Sequence, residues 1–165
     1  MRFDRRALRA SVAVVAVGGA LTLGVLAGVR WTAAGEPLTI TPPAGADERL
    51  PEGGYEPVID NEASDVHRTL ESDRGSAEVG TYAVPPATTW DDVSSVVAGQ
   101  LGEGWQRFGD CADTGKRVIT CRWEEPSRWW PRSVQVVLMR PPADRSKDDF
   151  VWPDNKFLII GAGRG

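Results

Sequence analysis

An α+β domain is the expected architecture of this 165-residue chain: one helix packed on an antiparallel sheet of four to six strands, preceded by an N-terminal transmembrane helix and a disordered tether. Three observations carry that expectation. The 20 residues from Ala10 to Val29 hold no charge. Trp90 to Leu101 repeats its apolar residues at helical spacing. From Trp105 to Gly161 the apolar residues fall in short runs broken by Gly, Pro and Asp, which is the pattern of strands and turns.

Residues 1–9 carry four Arg against one Asp and form a short basic tail. The uncharged stretch at 10–29, helical at about 1.5 Å per residue, covers roughly 30 Å, the hydrocarbon thickness of a bilayer. Arg2, Arg5, Arg6 and Arg9 precede it and only Arg30 follows closely, so the positive-inside bias keeps the N-terminus cytoplasmic and sends the rest outward. The expected location is therefore the cell membrane, in a single pass. The alternative is a secretory signal peptide cut after Thr32-Ala33-Ala34 or Val25-Leu26-Ala27, although the run is longer than export requires. No cysteine stands near its end for lipid attachment.

Residues 30–63 hold seven acids, two Arg and five of the twelve prolines. Such a segment buries too little apolar surface to offset its ordering entropy and reads as a tether, with an end-to-end distance of roughly 30 to 35 Å. The folded domain is then 64–165. At its start, Val66 to Glu71 and Glu78 to Val84 read as a hairpin turning at Ser72-Asp73-Arg74-Gly75, with a short helix capped by Ser64 as the alternative.

Thr89 followed by Asp92 is a capping box, and Asp91 and Asp92 suit the positive end of the helix dipole. Trp90, Val93, Val96, Val97 and Leu101 make one apolar stripe, ended by Gly102. Trp105 to Cys111 and Arg117 to Trp123 then form a hairpin around Asp113-Thr114-Gly115-Lys116. Cys111 and Cys121, the only cysteines, face each other across it, and outside the cytoplasm they would join in a disulfide worth about 2 to 3 kcal/mol. Ser133 to Arg140 places Val134, Val136 and Leu138 on one face and Gln135, Val137 and Met139 on the other. Phe157 to Gly161 is almost wholly apolar and reads as a central strand.

A strand, Pro85-Pro86, Thr89-Trp90-Asp91-Asp92-Val93, a helix ending at Leu101, and Gly104-Trp105 opening a meander resembles the small α+β ectodomains of actinobacterial membrane-anchored proteins. The resemblance covers about 60 residues and its motifs are structural, so it implies a layout and no activity.

Several chemistries find no support in the residues. No segment is basic enough to bind nucleic acid through its phosphates. One histidine and two cysteines cannot fill the usual zinc or haem ligand sets, so neither metal nor other cofactor is expected. His67 lacks a nucleophile elbow, and the pairs Asp91/Asp92, Glu124/Glu125 and Asp148/Asp149 are sequence neighbours that do not face each other. Asp144, Asp148, Asp149 and Asp154 are too sparse for a calcium loop. Leu50-Pro51-Glu52-Gly53-Gly54 resembles a sortase signal but lacks its threonine and its place before an apolar tail. Gly161 to Gly165 has no helix after it to complete a phosphate site.

Six of the seven tryptophans lie between residues 90 and 152. Trp129 and Trp130, with Arg128 and Arg132 beside them, occupy a loop between Pro126 and Pro131, and Phe150 with Trp152 occupies a second. Exposed Trp and Arg are the composition of binding hot spots, so these six residues are the candidate site; the competing reading folds the rings back over the sheet edge into the core. The expected function is a membrane-anchored, extracytoplasmic, non-catalytic binding or assembly module. Its partners would be an envelope protein or a cell-wall polymer. The alternatives are an envelope hydrolase using Asp and Glu carboxylates and a cleaved, secreted binding protein.

Overall fold

Val134, Val136 and Leu138 are completely buried, and so, on the opposite face of the same strand, is Val137. A strand apolar on both sides needs cover on both sides, and that requirement shapes the domain. The computed structural model describes Val25 and residues 37–109, 111–126 and 131–164. The chain divides between Ala34 and Gly35, and the elements below all belong to the second unit.

The elements are α1 (Glu56–Arg74), β1 (Ala77–Val84), α2 (Trp90–Gln100), β2 (Gln106–Phe108), β3 (Val118–Glu124), β4 (Ser133–Met139), a 3-10 turn (Arg145–Lys147) and β5 (Lys156–Gly163). The five strands form one sheet in the order β1-β5-β4-β3-β2, antiparallel throughout. β5 lies inside the sheet between β1 and β4, as its apolar character required. Residue pairs Val136 with Ile160 and Leu138 with Leu158 keep the two inner strands in a register that matches their buried faces.

On one face, α2 packs Trp90, Val93 and Val97 against Ile119, Cys121, Trp123, Val134, Val136, Leu138, Leu158 and Ile160. Its start is the capping box read from the sequence: the Thr89 hydroxyl accepts from the Asp92 amide while the Asp92 carboxylate accepts from the Thr89 amide. Val96, at the margin of the stripe, stays partly exposed.

The other face is covered by a second helix, and on this side the sequence expectations need correcting. Val66 to Glu71 belongs to α1, a helix of 19 residues, and forms no hairpin with Glu78 to Val84. Tyr55, Ile59, Ala63, Val66 and Leu70 fall four, eight, eleven and fifteen residues along from the first, one narrow helical stripe against Val137, Met139, Phe157 and Ile159. Pro57 in the first turn is tolerated because its missing amide has no partner there, and Gly75 ends the helix at φ 84° with its N–H donating to Glu71 O at 2.7 Å.

The tether expected over 30–63 is corrected for its described part, 37–63. Ile40 joins the α2-side core, and Gln100 grips Thr41 in both directions, accepting from its N–H at 2.8 Å and donating to its carbonyl at 2.9 Å. Tyr55 and Ile59 are fully buried. A few well-spaced apolar residues suffice when a ready-made sheet face receives them, which average composition does not register. The transmembrane expectation for 10–29 falls outside the described residues except at Val25, which is helical. Among the described residues no helix is long and apolar enough to cross a membrane.

Candidate functional site

The hairpin between β3 and β4 continues one pair beyond the strands. Glu125 N–H donates to Arg132 O at 2.9 Å, and the Arg132 guanidinium forks onto both Glu125 carboxylate oxygens, at 2.9 Å from Nε and 2.6 Å from the terminal nitrogen. This bidentate pair is three-quarters buried and closes the neck of the loop between Pro126 and Pro131. Hydrogen bonding from Arg132 holds the Glu125 carboxyl below the usual carboxylate range, and the same bond raises Arg132. Arg128, Trp129 and Trp130 lie outside the described residues. Arg132, expected beside them as a binding cation, is placed in the neck with its charge committed to Glu125.

Trp152 belongs to the core. It is 3% exposed, stacks on Tyr55 with ring centroids 5.3 Å apart, lies 6.0 Å from Phe157, and carries the Arg117 guanidinium 4.8 Å from its own centroid. Its indole N–H donates to Asp148. A ring so enclosed leaves little surface for a partner and follows the competing reading, in which it closes the core. Phe150, 5.3 Å from Trp152, is partly exposed, and Val151 is three-quarters exposed. With Arg145, Asp148, Asp149 and Trp152 they line an open hollow of about 460 Å³.

The Glu125–Arg132 neck stands where β4 begins, whereas residues 140–155 leave the sheet where β4 ends and β5 begins. Seven residues of strand, about 20 Å at the usual rise, separate the ends.

Four of the six carboxylates weighed as acid–base candidates have structural partners, one or both members of each pair. Asp92 caps α2 and is lowered first by the Thr89 hydroxyl and then by the Thr89 amide. Glu124 pairs with Arg122 at 2.8 Å, Glu125 with Arg132, and Asp148 with Trp152. His67 stands on the outer part of α1, 3.6 Å from Glu71 and about half exposed. Among the described residues no group of three or more His, Cys, Asp or Glu is placed to hold a metal.

Cys111 and Cys121 form a disulfide with Cα atoms 4.8 Å apart. It fastens the segment after β2 to β3, and Trp90 Nε1 donates to Cys111 O at 2.7 Å, tying α2 to the same segment. Nearby, Arg140 pairs with Asp113 and donates to Lys116 O at 3.0 Å, and its hydrogen bond to Asp113 is the main cause of that carboxyl's lowered pKa. Lys156, inside this charged end of the sheet, donates to Thr88 O and is lowered by burial and then by Arg140.

Sequence reasoning missed the Glu125–Arg132 pair and the Arg117–Trp152 contact. The first had a signal: the two residues are equidistant from the centre of the loop and of opposite charge. The second joins residues 35 apart and had none. An α+β domain with one disulfide-fastened antiparallel sheet is therefore the class that the geometry defines. Compared with family models, curated proteins and solved structures, the chain matches none.

Proposed function

We propose that this chain is a non-catalytic binding or assembly module of the bacterial envelope, anchored in the membrane by residues 10–29 and displaying its domain on the outer side. The observation that carries the reading is the Glu125–Arg132 clamp, which fixes the neck of a loop whose six residues include Arg128, Trp129 and Trp130. Holding the ends of a short loop reduces the entropy lost when it docks, and Trp with Arg supplies contact energy of the kind found at hot spots. The disulfide supports an oxidising compartment. The structural roles of Asp92, Glu124, Glu125 and Asp148 weigh against the hydrolase alternative.

The partner is an envelope protein or a cell-wall polymer, met through the clamped loop. The test is co-sedimentation of the detergent-solubilised full chain with purified cell-wall sacculi, together with in-cell crosslinking. Replacing both Trp129 and Trp130 by Ala is expected to leave the melting temperature within a few degrees of the parent and to reduce both signals at least about tenfold. A collapse of the melting transition would place the two rings in the core, and undiminished binding would remove them from the site.

A further inference from the structure

The sheet has two edges, and they differ. β2 is three residues long and is followed by the disulfide-linked segment, whereas β1 is eight residues long and on its outer side, among the described residues, pairs with another segment at a single point, the bridge from Ala83 to Asp47. There Asp47 N–H donates to Ala83 O at 2.9 Å and Ala83 N–H donates to Asp47 O at 2.8 Å. The chain then turns away, because Arg49 N–H donates back to the Asp47 carboxylate at 2.8 Å and bends the backbone off the edge. Since Ala83 points its polar groups outward, strand periodicity points those of Ala77, Val79 and Thr81 outward too. Among the described residues none pairs with them.

Beside this edge lies a cleft of about 210 Å³. Gly80 and Ala162 are small, so Ile160 forms a floor between them, with Leu38 and Ile40 as one wall and Tyr82 as the other. The Tyr82 ring leans over Gly80, where an added Cβ would come within 2.5 Å of its hydroxyl oxygen. On the same face stands the exposed carboxylate of Glu78, and Glu48 lies close enough to add to the burial that raises Tyr82. Asp47 adds a third acid, against Arg49 and, at the Glu78 end where its N–H donates to Ser76 O, Arg164.

We infer that the β1 edge is a strand-addition site for an extended segment of a partner protein, carrying an apolar residue opposite Gly80 and a basic residue two positions away opposite Glu78. The outward amides and carbonyls of Val79 and Thr81 supply the ladder, the cleft takes the apolar side chain, and Glu78 selects the cation. A second copy pairing β1 to β1 would crowd two Glu78 carboxylates onto one short face, so the charge favours a basic partner. This surface is separate from the clamped loop, and the inference does not depend on it.

The probe is a labelled peptide, acetyl-Thr-Val-Thr-Lys-Thr-amide, titrated against the full chain in non-ionic detergent by fluorescence anisotropy, with amide exchange followed by NMR. Saturable binding is expected, with Val79 and Thr81 amides exchanging fast in the protein alone and slowed by the peptide. Thr81→Pro removes an outward donor that the fold does not use and is expected to weaken binding at least about fivefold. Glu78→Lys, on the surface, is expected to weaken it similarly at low salt and serves if the proline variant fails to fold. Equal binding of a peptide with Glu in place of Lys would overturn the proposed chemistry. Absence of saturable binding, or Val79 and Thr81 amides already protected without peptide, would overturn the site, the latter by showing that the edge is occupied by the protein's own chain or a second copy.

Discussion

Single side chains set two of the domain's close tolerances. A Cβ on Gly161 would lie 2.6 Å from both Leu70 Cδ1 and Val66 Cγ1, so the absence of a side chain in β5 is what lets α1 settle on the sheet. Glu125 and Arg132 show the electrostatic counterpart, and they make stability pH-dependent. Glu125, Asp113 and Asp92 all have folded pKa values below the ordinary carboxylate range. Each contributes stability that is present above the unfolded value, about 4, and lost as pH falls through the folded one. Glu62, raised by burial and by Asp65, works the other way. The melting temperature is expected to hold from pH 7 to about 5 and to fall below that. Glu125→Gln should lower it at pH 7 and flatten the acid slope; an unchanged profile would mean that the clamp contributes nothing to the folded state.

Among the elements, α1 was the least legible and α2 the most. α2 has a capping box, acids in its first turn and a dense stripe of Val and Trp, all local signals that need no knowledge of what the helix packs against. α1 has polar and charged residues around most of its circumference and Pro57 near its start, so composition favoured a tether and the run Val66 to Glu71 looked like part of a hairpin. Its stripe of Tyr55, Ile59, Ala63, Val66 and Leu70 becomes decisive only against a sheet whose second face is apolar. Two consequences can be measured. A chain starting at Ser64, the boundary that composition indicated, loses Tyr55 and Ile59 and is expected to show no cooperative melting by circular dichroism, whereas one starting at Gly35 should melt cooperatively. Leu70→Ala in the full chain is expected to cost about 2 to 5 kcal/mol in chemical denaturation.

Across the molecule, covering the sheet on both faces puts the Glu125–Arg132 neck and the Phe150–Trp152 segment at opposite ends of β4 and leaves β1 as the long edge. If residues 10–29 anchor the chain as proposed, protease added to intact spheroplasts should remove the folded domain and leave a short membrane-bound fragment. Full protection from protease would refute that topology.

Local residue chemistry was enough to read the capped helix, the paired cysteines, the two-faced strand at Ser133 and the interior strand at Phe157, because caps, turns and alternation depend on neighbours a few positions apart. Packing decided the second helix, the ordering of residues 37–63 and the burial of Trp152. Each of these rests on contacts between distant parts of the chain. Tyr55 and Trp152 are nearly 100 residues apart, and no pattern within either segment announces that their rings will stack.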